Sequence, residues 1–241
     1  MKPETLLKAS GFYNLIIRLV ILPKGSLHNF ICAAPRGVGG SKEEIIMTTI
    51  SQRRKATETL VLGAILTAIV IVLQMLGQFI RFGMFSISLV LIPIVIGAAM
   101  CGPKVSAWLG FIFGVVVLFT DAGAFLAVSV PGTIVTVLLK GIGCGLAAGL
   151  VYKLLENKNR YLAVVVAAIA CPVVNTGVFL LGCRLFFFET IASWGLAEGF
   201  GTTAEYMFIG LAGANFIAEM VINIILSPIV VRILNIGKKL N

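Results

Sequence analysis

Apolar residues fill almost the whole chain between Thr59 and Leu234, and polar side chains interrupt them at only a few positions. A run such as ETLVLGAILTAIVIVLQMLGQFI (58–80) can cross a bilayer core of about 30 Å at about 1.5 Å per residue. Only helices satisfy their own backbone in lipid without closing a barrel, so the pattern predicts an all-α integral membrane protein with six transmembrane helices. The six predicted spans are 59–80, 84–101, 104–120, 128–152, 161–188 and 206–234.

The cations in the predicted loops indicate the orientation, because cytoplasmic loops carry an excess of Lys and Arg. With both termini in the cytoplasm, these cations lie on that side: Arg53, Arg54, Lys55, Lys104, Lys153, Lys158, Arg160, Arg232, Lys238 and Lys239. The opposite side then holds a mixed set: Arg81, Asp121, Arg184, Glu189, Glu198 and Glu205. We therefore predict that both termini are cytoplasmic. Between the second and third spans, Gly102-Pro103 predicts a tight turn and hence a helical hairpin.

The composition agrees with a membrane protein and limits its chemistry. Charged residues make up 12% of the chain and the mean hydropathy is +1.06, whereas soluble domains carry about 25% charged residues. There is no GxxxxGK[ST] loop for ATP, and no HExxH or GxSxG motif. The five cysteines form no CxxC pair, and the single histidine, His28, lies outside the apolar region. We expect a protein that is not an enzyme, with no metal, cofactor or nucleic-acid partner.

Residues 1–46 differ from the rest of the chain and form a predicted N-terminal extension ahead of a membrane domain at 47–241. They contain LIIRLVILPKG and the Gly-rich stretch APRGVGGSKEE. The segment KEEIIM (42–47) can be encoded by a purine-rich ribosome-binding sequence just upstream of a start codon for Met47. Two interpretations stay open: the natural protein begins at Met47, or residues 1–46 are a genuine disordered or amphipathic segment.

Polar residues recur at a shared depth within the apolar spans. Lys140, Asn175 and Glu219 each lie about 12 to 14 residues into their predicted helices, which places all three near the bilayer midplane. Asn215 and Asn223 flank Glu219 at helical spacing and extend a polar stripe along the last span. Buried charges are costly in lipid, so we expect Lys140 and Glu219 to face the bundle interior and to pair. The stripe predicts either polar contacts between helices, the floor of a substrate cavity, or a proton relay.

The predicted outer ends carry side chains suited to recognition. Arg81 and Arg184 can bind a carboxylate through two parallel hydrogen bonds, and Asp121 lies in the Gly-containing segment FTDAGAF. The segment ETIASWGLAEGFGTTAEY (189–206) holds Trp194 and several glycines, a composition that suits a lid, although Trp also anchors helices at membrane interfaces. We predict that these residues, together with Asn175, bind the substrate.

Four segments in order resemble the substrate-binding S component of energy-coupling-factor (ECF) vitamin transporters. They are ETLVLGAILTAIVIVLQ, ISLVLIPIVIGAAMCGPKVSAWLGFIFG, PVVNTGVFLLGCRLFF and GANFIAEMVINIILSPIV, and the resemblance covers about 57–236. It implies six helices, an outward-facing pocket capped by loops, and no ATPase in the chain itself. Its implied partners are a membrane coupling subunit and two ABC-type ATPases in a bacterial cell membrane.

The resemblance also gives a role to Ala64 and Ala68. These two residues form a small-xxx-small surface on the first predicted helix, where the family packs against its coupling subunit. The pattern is nearest the pantothenate and folate carriers, so the expected ligand is a small anionic vitamin. The alternative class is an independent proton-coupled secondary transporter that uses Lys140 and Glu219, although the sequence shows no inverted repeat.

Overall fold

A computed structural model describes residues 42–79, 81–82, 85–86 and 88–239. Most of the predicted extension at 1–46 therefore lies outside the described residues. The chain divides into two compact units, Met1–Ile50 and Ser51–Asn241, and every contact discussed below lies within the second unit.

The described chain is almost entirely helical. In chain order the helices are α1 (Lys42–Gly77), α2 (Leu91–Cys101), α3 (Pro103–Thr120), α4 (Gly123–Leu126), α5 (Val130–Leu155), α6 (Arg160–Phe186), α7 (Phe188–Ala197), α8 (Thr203–Glu205), a π-helix (Tyr206–Leu211) and α9 (Gly213–Lys239). Two short strands, β1 (Arg81–Phe82) and β2 (Phe85–Ser86), pair antiparallel between α1 and α2. The all-α class predicted from the sequence is confirmed apart from this small hairpin.

Among the described residues, five helical stretches are long and apolar enough to cross a membrane. They are Ala56–Gly77, Pro103–Thr120, Val130–Leu155, Arg160–Phe186 and Thr203–Arg232. The second predicted span, 84–101, is different, because only its final 11 residues form a helix, α2. At about 1.5 Å per residue α2 is too short to cross the hydrocarbon core. The preceding FSISL alternates apolar residues with serine, which favours an extended backbone over a helix.

The predicted turn between the second and third spans is present. Gly102 has φ +83°, a conformation that residues with a side chain rarely adopt, and Pro103 begins α3. The Ser106 hydroxyl oxygen then lies 2.7 Å from the Gly145 carbonyl oxygen and 3.2 Å from that of Ile94. One small polar side chain thus connects α2, α3 and α5.

Glycines allow α3 and α5 to pack closely. A side chain on Gly141 would collide with the backbone of Gly110, and one on Gly145 would collide with the backbone of Ser106. A side chain on Gly149 would collide with Pro103. The glycines of the segment 141–149 therefore let these two helices approach closely.

Contacts bring several helix ends together at one end of the bundle. The start of α6 contacts the end of α9 through Arg160, whose Nη2 lies 3.4 Å from the Leu234 carbonyl oxygen. The end of α2 reaches α1 where the Cys101 sulfur lies 3.9 Å from the Thr59 carbonyl oxygen. With the contact of Gly149 and Pro103, these pairs place most of the loop cations at the same end.

The bundle exposes apolar side chains and buries polar ones. Large exposed residues include Leu60, Ile65, Leu139, Leu150 and Ile225. The buried polar residues include Gln74, Thr133, Thr136, Asn175, Glu219 and Asn223. This pattern suits a helical bundle whose outer surface faces lipid and whose polar groups face one another inside.

Candidate functional site

The polar side chains converge on a cavity of about 70 Å³. A cavity that holds one water molecule has a volume of about 10–15 Å³ on the same measure, so this cavity can admit a small molecule. Its walls come from α1, α3, α5, α6 and α9, at the end of the bundle opposite the clustered cations. The polar lining residues are Gln74, Ser88, Asp121, Thr133, Thr136, Lys140, Asn175, Thr176, Asn215 and Glu219.

Lys140 is the only cation among the described residues that line the cavity. Its Nζ lies 5.7 Å from the centroid of the Phe113 ring and 5.4 Å from that of Phe179, so two aromatic faces stabilise the ammonium group. The negative charges of Glu219 and Asp121 also attract the Lys140 ammonium group. Among the described residues, however, no carboxylate forms an ion pair with Lys140 within 4.0 Å. The ammonium group is positioned in the cavity and can accept an anion.

Glu219 lies on α9 and is only 4% exposed. The Ser88 backbone N–H donates a 3.1 Å hydrogen bond to Oε1 of Glu219, and the side chains of Ser88 and Asn175 face the same carboxylate. One turn further along α9, the Asn223 side chain donates to the Glu219 backbone carbonyl at 2.8 Å. The carboxylate thus connects α9 to α6 and to the segment that precedes α2.

Asp121 caps the other side of the cavity. It follows α3 directly, and its Oδ2 accepts a 3.0 Å hydrogen bond from Nε2 of Gln74 on α1. The Thr120 hydroxyl lies 3.2 Å from the same oxygen. Gln74 is 1% exposed, so this bond joins α1 to the end of α3 inside the protein.

Aromatic side chains form the remaining wall. Phe125, Phe179 and Phe187 line the cavity, and the Phe125 ring lies edge-on to the other two at centroid distances of 5.8 and 5.1 Å. Trp194 on α7 lies edge-on to Phe125 at 5.5 Å. The segment predicted as a lid therefore contributes an ordered helix whose Trp packs behind the cavity wall.

The sequence-predicted site residues separate into two groups. Asp121, Lys140, Asn175, Asn215 and Glu219 all line the cavity. Shared depth on separate helices is the signal for Lys140, Asn175 and Glu219, and the structure brings these three together with Asn215 and with Asp121, which was predicted at the outer end. Lys140 and Glu219 face the interior as expected, but the direct ion pair between them is not formed.

The described residues of the other group do not line the cavity. Arg184 is exposed, and its guanidinium carbon lies 4.1 Å from the centroid of the Phe188 ring, away from the cavity. The side chain of Arg81 is outside the described part of the chain. Asn223 is buried one turn beyond the cavity, and Trp194 packs against Phe125, one of the residues that line the cavity. Of the two arginines predicted to bind a carboxylate, Arg184 does not line the cavity.

Sequence analysis missed several lining residues that helical spacing could have found. Thr133 and Thr136 precede Lys140 by seven and four residues, so they share its face of α5. Phe179 follows Asn175 by four residues on α6 in the same way. Gln74 gives a weaker signal, because it is a single amide in an apolar run.

The arrangement is suited to binding rather than to bond making. Its described residues offer one cation, two carboxylates that already face N–H donors, several amides and an aromatic wall. Among the described residues, no group of three or more His, Cys, Asp or Glu side chains could hold a metal ion.

Comparison with known families identifies the class. Residues 58–231 match the family model described as ECF transporter, substrate-specific component. The match covers well over half of the chain, so the protein belongs to this family. No curated protein and no solved structure matches the chain. The protein is thus a substrate-binding transport subunit and not an enzyme, and members of its family work with a membrane coupling component and ATPases.

Proposed function

We propose that this substrate-specific component captures a small vitamin that carries a carboxylate, such as pantothenate or folate, and that Lys140 binds the carboxylate. The observation that supports this assignment is the position of the ammonium group. It lies in the cavity between two aromatic rings, without an ion pair to any described carboxylate. An anion entering the cavity would supply the partner that a cation in a low-dielectric site requires.

The two acidic side chains of the cavity are held by hydrogen-bond donors other than Lys140. Asp121 accepts a hydrogen bond from Gln74, and Glu219 accepts one from the Ser88 backbone. Hydrogen bonds to a carboxylate stabilise its charge locally. An anionic ligand at Lys140 therefore meets acids that already have N–H donors, together with an aromatic wall for its apolar part.

The charge distribution supports entry from outside the cell. Most loop cations lie at one end of the bundle, and the cavity lies towards the other. With the cationic end in the cytoplasm, as such asymmetry favours, both termini are cytoplasmic and the cavity opens outward. This is the orientation that a scavenging importer in a bacterial cell membrane needs.

Calorimetry on the purified full chain in detergent tests the ligand assignment. Of a panel of vitamins, at least one that carries a carboxylate should bind tightly in the absence of ATP. Lys140→Met should weaken the binding of that ligand about 10- to 100-fold, which is the range expected when a hydrogen bond to a charged group is lost. Arg184→Gln is the matched control and should bind normally, because Arg184 stacks on Phe188 outside the cavity.

Two results would reject the assignment. If the tightest ligand has no anionic group, the proposal that the ligand carries a carboxylate is wrong. If Lys140→Met binds the ligand with unchanged affinity, Lys140 is not the partner of the carboxylate. A loss in Arg184→Gln equal to that in Lys140→Met would instead favour the clamp at the outer end.

The coupling component is proposed to dock on the surface formed by Ala64 and Ala68. Both residues are exposed on α1, so a neighbouring helix can approach closely there. Replacing both by Leu should reduce ATP-driven uptake at least about tenfold and leave ligand affinity unchanged. Ala214→Leu, at an exposed position on α9, adds similar bulk elsewhere and should leave uptake intact.

Reconstitution separates this function from an independent proton-coupled carrier. The chain alone in liposomes should bind ligand but should not accumulate it under a proton gradient. Uptake driven by the gradient without other subunits would favour the carrier that uses Lys140 and Glu219.

A further inference from the structure

The cavity has a second recognition feature besides Lys140. Gln74, Thr136, Asn175 and Asn215 each have a buried side-chain oxygen without a hydrogen-bond partner among the described residues, and all four residues line the cavity. Gln74, Thr136 and Asn175 are 1%, 4% and 5% exposed. A buried polar atom without a partner costs about 1–3 kcal/mol, so these oxygens favour a ligand that donates hydrogen bonds to them.

The two carboxylates determine which way two of these amides face. A carboxylate can only accept hydrogen bonds, so the amide that faces it turns its nitrogen towards the acid. Nε2 of Gln74 donates to Asp121 in this way, which leaves the Gln74 carbonyl oxygen for the cavity. Asn175 faces Glu219, and the same reasoning leaves its Oδ1 for the cavity. The acids thus act as orienting groups that present two amide oxygens to the ligand.

Packing fixes the position of a third oxygen. Thr136 lies against Gly182 of α6, where any side chain would collide with the threonine. Its hydroxyl has no partner, whereas that of Thr133, one turn earlier on the same helix, donates to the Ser129 carbonyl at 2.7 Å. These two buried threonines on one helix face therefore differ in whether the hydroxyl has a hydrogen-bond partner among the described residues.

We propose that Gln74, Thr136 and Asn175 determine specificity by accepting hydrogen bonds from hydroxyl or N–H groups of the ligand, at a position distinct from the carboxylate at Lys140. This inference rests on the proposed function and narrows its substrate class. The ligand is a carboxylate with at least one hydroxyl, amide or ureido donor elsewhere in the molecule. A carboxylate without such donors leaves the three oxygens unpaired and is rejected.

Four small monocarboxylates test this proposal on the purified full chain by calorimetry. Pantothenate and biotin carry hydroxyl, amide or ureido donors, whereas lipoate and nicotinate carry none. The tighter of the first two should bind at least about tenfold better than either of the others, the loss expected when one or two buried hydrogen bonds are not made. If lipoate or nicotinate binds most tightly, the donor proposal is wrong while the carboxylate at Lys140 stands.

Two variants locate the effect in the named oxygens. Thr136→Val and Asn175→Leu keep the approximate size of each side chain and remove its oxygen. Each variant should bind the donor-bearing ligand about three- to tenfold more weakly and lipoate with unchanged affinity. The ratio of the two affinities should therefore become smaller. Thr133→Val is the matched control and should alter the preference little, because its hydroxyl already bonds to Ser129.

The result also separates the two proposals. If both variants keep the full preference of the wild type, the oxygens of Thr136 and Asn175 do not contact the ligand and the donor proposal fails. If the tightest vitamin in a wider panel has no anionic group, the carboxylate at Lys140 fails. In that case, the affinities of the same two variants for that vitamin test the donor proposal.

Discussion

In the half of α5 that follows Lys140, Gly141, Gly145 and Gly149 lie so close to α3 that any side chain would collide with it. In the half before Lys140, Thr133 and Thr136 face a cavity that the neighbouring helices do not fill. The two halves belong to one continuous helix and differ mainly in side-chain size on the buried face. Small residues remove space where helices must hold together, and larger polar residues keep space where a ligand must enter.

The largest expected effect tests the closely packed half. Gly145→Ala should destabilise the protein by about 1–3 kcal/mol or more, because its methyl group would meet the Ser106 backbone. Gly143→Ala is the matched control, since its nearest neighbours are two valine methyl groups at ordinary contact distance. That change should be neutral or stabilising by up to about 1 kcal/mol, through helix propensity. Thermal unfolding in detergent measures both, and equal losses would contradict the assigned packing.

An intermediate effect tests the cavity half through its two charges. Lys140→Met and Glu219→Gln should show a coupling free energy below about 1.5 kcal/mol in a double-mutant cycle on stability, because no direct ion pair joins them. Removing one partner of a directly paired buried bridge costs about 3–5 kcal/mol. A coupling in that higher range would show that the cavity closes around an ion pair and is not kept open for a ligand.

The smallest expected effect tests a polar contact within the closely packed half. Ser106→Ala should lower the free energy of unfolding by about 0.5–1.5 kcal/mol, because it removes the hydroxyl that lies 2.7 Å from the Gly145 carbonyl oxygen. Ser193→Ala removes an exposed hydroxyl that bonds only to the nearby Thr190 carbonyl, and should change stability little. If the two serines had equal effects, the contact between helices would contribute nothing beyond a local bond.

The sequence predicted the depth of the site better than its orientation around each helix. Lys140, Asn175 and Glu219 converge because residues at one depth on neighbouring helices can meet when each faces inward. Arg184 was assigned to the site by its nearness to the outer end of α6. It follows Asn175 by nine residues, which is about two and a half turns and places it on the opposite face. Counting that rotation would have excluded it.

The pattern of apolar residues also could not predict where the backbone departs from a helix. The second predicted span contains one strand of the hairpin, β2, and a short helix, because apolar content alone does not separate a helix from a buried extended segment. The hydrogen bond from the Ser88 backbone to Glu219 depends on that extended segment. It joins residues 131 positions apart, and no local spacing rule indicates such a contact.

The edge-on contact of Trp194 with Phe125 gives the chain a built-in optical reporter. Phe125 lines the cavity, so a ligand that touches it acts one ring away from an indole whose emission depends on its surroundings. The chain has two tryptophans, and the other, Trp108, packs against Phe111 on α3. Trp108→Phe would leave Trp194 as the single tryptophan, so that ligand capture could be followed in real time through its emission without any label.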